Sequence, residues 1–114
     1  MRVGPVAAQT YTLHELAARV KERASASAET SYTRRLIEKG VAHCAKKLGE
    51  EAVEMALAAV AEDRERVIAE AADLLYHVLV VLEARGIALT EIEAALGRRT
   101  GMSGVEEKAS RPRD

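Results

Sequence analysis

Apolar residues along the chain recur at three- and four-residue intervals, and no stretch shows the strict apolar–polar alternation of a half-buried strand. In LHELAARVKERA, residues Leu13, Leu16, Ala17 and Val20 share one helical face, and Thr12 with Glu15 has the spacing of a capping box. SASAETS, residues 25–31, is small and polar and predicts a loop. A short helix follows from about Ser31 or Tyr32 and stops at Gly40, which suits the C′ position. A long helix is expected over Val41 to Ala61. Asp63 then caps a second one, RERVIAEAADLLYHVLVVLEAR, which Gly86 ends. Thr90 and Glu93 repeat the capping-box spacing and open a last helix over about residues 90–99. The pattern predicts an all-α fold of four to five helices over residues 11–99, with a flexible N-terminus over 1–10 and a mobile tail over 100–114.

The segment LLYHVLVVL, residues 74–82, is apolar on nearly every side, with His77 the exception and Tyr76 semi-polar. A helix apolar all round must be covered all round. A chain of 114 residues offers few helices to do so, which points to dimerisation through this helix. A monomeric bundle centred on it is the alternative. At nine residues the run is far short of the roughly 20 that cross a bilayer.

Composition narrows the picture. Hydrophobic residues make up 48% and charged ones 31%, an ordinary globular balance for one domain. Aromatics are 3%, so the core must be built from Ala, Leu, Val and Ile. A formal net charge of −1 gives no electrostatic footprint for nucleic acid or a membrane surface. The single Cys44 excludes an intramolecular disulfide and fits a buried, inert thiol in a reducing compartment. MRVGPVAAQT lacks the basic start and apolar run of a signal peptide, so a soluble, cytoplasmic protein is expected.

The candidate chemistry lies in KKLGEEAVE, residues 46–54. At about 100° per residue, Glu50 and Glu54 fall within roughly 40° of each other, Lys47 lies on the same side, and Glu51 sits at the edge of that arc. Cys44, Leu48, Ala52, Met55 and Ala59 take a different sector, so the acidic stripe is expected to border the buried face. On the next helix Glu70, Asp73 and His77 again share a face, and the short link should return the two helices antiparallel with their acidic stripes alongside. Two carboxylates 4 Å apart repel by about 4 kcal/mol at an effective dielectric of 20. Such a cluster calls for protonation, solvent or a cation. Hard oxygen ligands without thiols favour Mg²⁺, or Mn²⁺ in its place, and Lys46 and Lys47 beside them suit a polyphosphate. The plainer reading is a solvated acidic face, since EExxE is common on helix surfaces.

Glu51-x-x-Glu54 followed by Glu70-x-x-Asp73 resembles the ExxE…ExxD signature of the MazG-like all-α nucleoside triphosphate pyrophosphohydrolases. SYTRRLIEKG, KKLGEEAVE, EAADLLYHVLVVL and SGVEEKASR together resemble the phosphoribosyl-ATP pyrophosphohydrolase family of histidine biosynthesis, a likeness that covers about residues 13–111. The resemblance implies a MazG-like bundle, completed by dimerisation, that hydrolyses phosphoribosyl-ATP to phosphoribosyl-AMP and pyrophosphate. Water would attack between the α and β phosphates. It implies Glu51, Glu54, Glu70 and Asp73 as metal ligands, with Glu50 a further ligand or the base that activates the water. The activity is often fused to the cyclohydrolase that acts next; no residues remain here for that domain, so a stand-alone form is expected.

Softer positions carry two readings each. Lys46 and Lys47 contact phosphates or are solvated. Ser31, Tyr32, Thr33 and Arg34 bind a phosphate at a helix start or simply cap that helix. His77 hydrogen-bonds a ligand carboxylate or the substrate, or is a satisfied core residue, whereas Tyr76 suits packing or a dimer interface. In the tail from Glu106, Lys108 and Arg111 close over the substrate or stay solvated. His43 and Cys44 depart from the family's usual wording without touching the acidic positions. Two other functions compete: a house-cleaning hydrolase of free nucleoside triphosphates with the same carboxylates, and a non-catalytic helical dimerisation module.

Overall fold

A computed structural model describes residues 10–100. It contains five helices and, among the described residues, no strand: α1 (Leu13–Ala24), α2 (Tyr32–Glu38), α3 (Val41–Ala61), α4 (Arg64–Ala84) and α5 (Leu89–Thr100). The all-α expectation holds, and the bounds of α3 match those read from the sequence. None of the helices is long and apolar enough to cross a membrane.

Local chemistry fixes the ends. The Thr12 hydroxyl accepts from the Glu15 N–H at 3.1 Å, and Glu15 Oε1 accepts from the Thr12 N–H at 2.8 Å, so the capping box forms. Asp63 Oδ1 accepts from the Arg66 N–H at 2.9 Å and opens α4. Gly40 at φ 100° and Gly86 at φ 69° occupy the left-handed backbone that a side chain disfavours, and they end α2 and α4. The expected Thr90–Glu93 box does not form. Glu91 Oε2 accepts instead from the Ala88 N–H at 2.9 Å, starting α5 one residue early, and Glu93 reaches across to His14 Nε2 of α1 at 2.8 Å. A long-range partner has taken the carboxylate that local spacing assigned to a cap.

The α3–α4 hairpin is the spine, two helices of 21 residues joined at Glu62 and Asp63. At 1.5 Å per residue each is about 30 Å long. The core sits at one end of it, where Val20 of α1 and Leu36 of α2 meet Cys44 near the start of α3 and Leu79 and Val80 near the end of α4. The Cys44 thiol donates to the Leu36 carbonyl at 3.2 Å, and burial pushes its pKa up, as expected of an inert thiol. Ser31 joins α1 to α2: its hydroxyl donates to the Arg23 carbonyl at 2.8 Å and accepts from the Arg34 N–H at 3.0 Å. Thr33 and Tyr76 join α2 to α4 through their hydroxyls, 2.6 Å apart.

Towards the α3–α4 turn the hairpin is covered on one side only. Val53, Leu57 and Val60 of α3, at i, i+4 and i+7, are exposed, Val60 by 88%, and Ile68 and Leu75 of α4 are exposed as well. The 74–82 segment, in contrast, is largely covered within the chain, with His77, Leu79 and Val80 buried. The radius of gyration, 16.8 Å, exceeds the about 13 Å of a compact 100-residue domain, as a projecting hairpin requires.

The Thr33–Tyr76 bond ties α2 to the spine, so its loss is measurable. Tyr76→Phe should cost about 1 kcal/mol, roughly 4–8 °C in Tm at fixed protein concentration. Thr33→Val strands the phenol and should cost at least as much. The double variant should lose less than the two losses added; strict additivity would mean the hydroxyls do not interact.

Candidate carboxylate site

Cys44, Leu48, Glu51, Met55 and Ala58 follow one another at steps of four and three, and these are the α3 residues turned inward: Cys44 and Ala58 are buried and the other three half-buried. Glu51 therefore stands inside the helix–helix seam, not at its edge, while Ala52 and Ala59, expected inside, are exposed. The apolar residues of α3 lie on two faces, and the second, Val53–Leu57–Val60, shifts the apparent centre of the apolar sector away from the true seam. From α4, Glu70 projects into the same seam with its side chain 5% exposed. One carboxylate oxygen each from Glu51, Glu70 and Asp73 lies within 4.8 Å of the others.

Among the described residues, three atoms at this point are buried without a hydrogen-bond partner: Glu51 Oε2, Glu70 Oε1 and His77 Nε2. His77 is held by its other nitrogen, 2.9 Å from the Asp73 carbonyl. A carbonyl only accepts, so Nδ1 carries a proton. The neighbouring Tyr76 ring meets the imidazole nearly at right angles, 5.0 Å between centroids. Glu70 Oε2 has an ion-pair partner in Arg66 Nη2 at 2.7 Å. Desolvation, then the Glu54 charge beside it, holds the Glu51 carboxyl above its ordinary 4.5; Asp73 and Glu70 push the same way and His77 opposes them. Unpartnered carboxylate oxygens gathered in this way fit a hard divalent cation, and the nearest thiol chemistry, Cys44, is committed to the core.

Around the cluster the expected residues divide. Glu54 is exposed and lines a cleft of about 170 Å³ with Leu57, Ala58, Glu62, Arg66 and Glu70. Glu50 is exposed and pairs with Lys47 Nζ at 3.5 Å, and Lys46 is exposed on the same helix. Ser31 and Thr33 are buried in the bonds that join the helices, and Arg34 is engaged with Glu38 at 2.8 Å and the Ala24 carbonyl at 3.1 Å. Tyr32 alone of that segment is exposed. None of the four has a hydrogen bond or ion pair to the carboxylates among the described residues. Lys108 and Arg111 lie outside the described residues. Arg66 was not singled out by the sequence, although an Arg four residues before a Glu on one helix is a legible pairing.

Fold and site together define an all-α protein with a carboxylate cluster in the seam of a helical hairpin. Residues 13–100 match the family model described as phosphoribosyl-ATP pyrophosphohydrolase, and the chain belongs to that family. It is 64% identical over 101 residues to phosphoribosyl-ATP pyrophosphatase 1 of Bradyrhizobium diazoefficiens, covering 89% of this chain and 95% of the relative. The protein of that name in Rhodopseudomonas palustris is 61% identical over 104 residues, 91% of this chain and 97% of its own. Phosphoribosyl-ATP pyrophosphatase of Nitrobacter winogradskyi is 56% identical over 106 residues, 93% and 91% of the two chains. The family resemblance read from the wording of the chain is thus borne out.

A raised Glu51 pKa has a definite sign. The folded protein binds this proton more tightly than the unfolded chain, so the contribution to stability is full below 4.5 and is lost as pH rises through the raised value. In chelator-treated protein, Tm of the wild type minus Tm of Glu51→Gln should fall as pH increases above 4.5. A difference that grows with pH would contradict the assigned shift.

Proposed function

We propose that the chain hydrolyses phosphoribosyl-ATP to phosphoribosyl-AMP and pyrophosphate, the second step of histidine biosynthesis, with Mg²⁺ at the α3–α4 seam. The observation that carries the reading is the convergence of Glu51, Glu70 and Asp73 within 4.8 Å, in a chain of this family. Glu51, Glu54, Glu70 and Asp73 would hold the ion, and Mn²⁺ could replace it. Bound there, Mg²⁺ would supply positive charge to offset that of the polyphosphate.

The remaining work falls to the chain's own groups. Glu54 extends the cluster, in which Glu70 is buried, Glu51 half-buried and Asp73 exposed, into the open cleft, so the carboxylate row runs from the seam to where a phosphate tail can enter. Glu50, one residue from the ligand set and exposed, orients the water for in-line attack between the α and β phosphates and takes its proton. Lys47, already 3.5 Å from Glu50, and Lys46 add positive charge on the approach. His77 holds the Asp73 turn of α4 through Nδ1–H and so keeps that carboxylate at its place in the row.

The enzyme works as a cytoplasmic homodimer. The exposed stripe Val53–Leu57–Val60, with Ile68 and Leu75 beside it, is an apolar surface on the same two helices that carry the carboxylates, and a second copy covers it.

Pyrophosphate release should depend on Mg²⁺ and be confined to phosphoribosyl-ATP, with ATP and deoxynucleoside triphosphates left intact. Release from the free nucleotides alone would transfer the site to house-cleaning hydrolysis. Glu54→Gln and Asp73→Asn should each lower kcat at least about a hundredfold, with Tm unchanged or raised because repulsion is relieved. Light scattering should give about twice the 12.3 kDa chain mass, and Val60→Asp should shift it towards one chain. A wild-type mass of a single chain would remove the dimer.

A further inference from the structure

The Arg66–Glu70 pair joins two unlike partners. Its Nη2–Oε2 separation is 2.7 Å, the Glu70 side chain is 5% exposed and the Arg66 side chain 58%. The other Glu70 oxygen is buried and unpartnered. A buried carboxylate stripped of its counter-charge is strongly disfavoured, whereas an exposed guanidinium loses little when it returns to water. Glu70 therefore needs a cation, but Arg66 does not need Glu70. Arg66 also forms part of the wall of the cleft it shares with Glu54 and Glu70.

We propose that Arg66 is an exchangeable counter-ion of the carboxylate cluster: it neutralises Glu70 in the ion-free protein, yields that carboxylate to the divalent ion, and then binds the pyrophosphate end of the substrate. The inference rests on the Mg²⁺-dependent pyrophosphohydrolase reading above. The exchange needs only side-chain rotation, because Arg66 and Glu70 lie one turn apart on the same helix. Charge stays matched at each stage: the dication replaces the guanidinium at Glu70, and the arriving phosphates supply the anion that the guanidinium then meets. The planar fork of arginine offers paired donors to phosphate oxygens, which lysine cannot reproduce. Two effects of opposite sign follow. Without phosphate, Arg66 competes with the ion; with phosphate, it holds the ligand. A guanidinium that only braces the helix would do neither.

The test measures Mn²⁺ affinity by electron paramagnetic resonance, and then the binding of inorganic pyrophosphate at saturating Mn²⁺ by equilibrium dialysis. Wild type, Arg66→Gln, Arg66→Lys and Arg64→Gln are compared. Arg64→Gln removes the same charge from a position about 200° away around the helix, so it corrects for net charge. Arg66→Gln should bind Mn²⁺ roughly three- to tenfold more tightly than Arg64→Gln, and pyrophosphate about tenfold more weakly. Arg66→Lys, which keeps the charge and the fold, should retain near wild-type Mn²⁺ affinity but lose pyrophosphate affinity. Arg66→Gln indistinguishable from Arg64→Gln, or weaker in Mn²⁺ binding, would overturn the exchange while leaving the proposed reaction standing. Wild type that binds no Mn²⁺ would remove both.

Discussion

Acidic side chains inside a helix–helix seam are the constraint around which the rest of the molecule is arranged. Glu51 and Glu70 face each other where a bundle would ordinarily place Leu or Ala, and each keeps one oxygen without a partner. At an effective dielectric of 20, one pair of such charges at 4 Å costs about 4 kcal/mol, a large part of the about 5–15 kcal/mol that a domain of this kind has in hand. The seam cannot hold itself together at that point. It is closed from the two ends: by the covalent turn at Glu62 and Asp63, and by the apolar cluster of Val20, Leu36, Cys44, Leu79 and Val80. The helices α1 and α2 serve mainly this second purpose. Their capping bonds, the Ser31 bridge and the Thr33–Tyr76 contact all lock the core end, away from the carboxylates.

That division assigns stability and chemistry to different stretches of the same two helices. The proton affinity of Glu51 rises because the group is partly desolvated and stands beside other carboxylates, and the same crowding of carboxylates makes the site attractive to a divalent ion. Arg66 enters from the exposed side and supplies one positive charge, which relieves Glu70 but leaves Glu51 Oε2 bare. Among the described residues the repulsion is thus only partly compensated.

Much of this was legible in the sequence. Helix bounds followed from Asp63, Gly40, Gly86 and the Thr12–Glu15 box, because each acts through neighbours in the chain. The acidic residues were legible by type and spacing, and the family likeness by their wording. What escaped was decided between helices. Which face of α3 turns inward depends on α4, and with apolar residues on two faces the helix alone does not reveal that Glu51, rather than Ala52, fills the seam. Ser31 and Thr33 read as phosphate ligands or as caps because hydroxyls at a helix start serve either purpose; in the structure their hydroxyls bond to Arg23 of α1 and Tyr76 of α4. Glu93 passed for a cap until His14, 79 residues away, proved to be its partner.

His77 shows how the two stretches meet. As a lone histidine in an apolar run it reads as a satisfied core residue or as part of the site, and in the structure it lies beside both. It is buried like the core residues Leu79 and Val80 that follow it, yet it opposes the upward shift of Glu51 and so belongs to the field of the carboxylates. Its Nδ1–H is spent on the Asp73 carbonyl, one turn back, which fixes the ring between the Asp73 turn and the Tyr76 ring. With Tyr76 bonded in turn to Thr33, a chain of contacts runs from α2 through two adjacent residues of α4 to the backbone of a cluster carboxylate. The core end and the carboxylates are thereby linked through α4, and a protein with few aromatics has placed one of its three tyrosines at that junction.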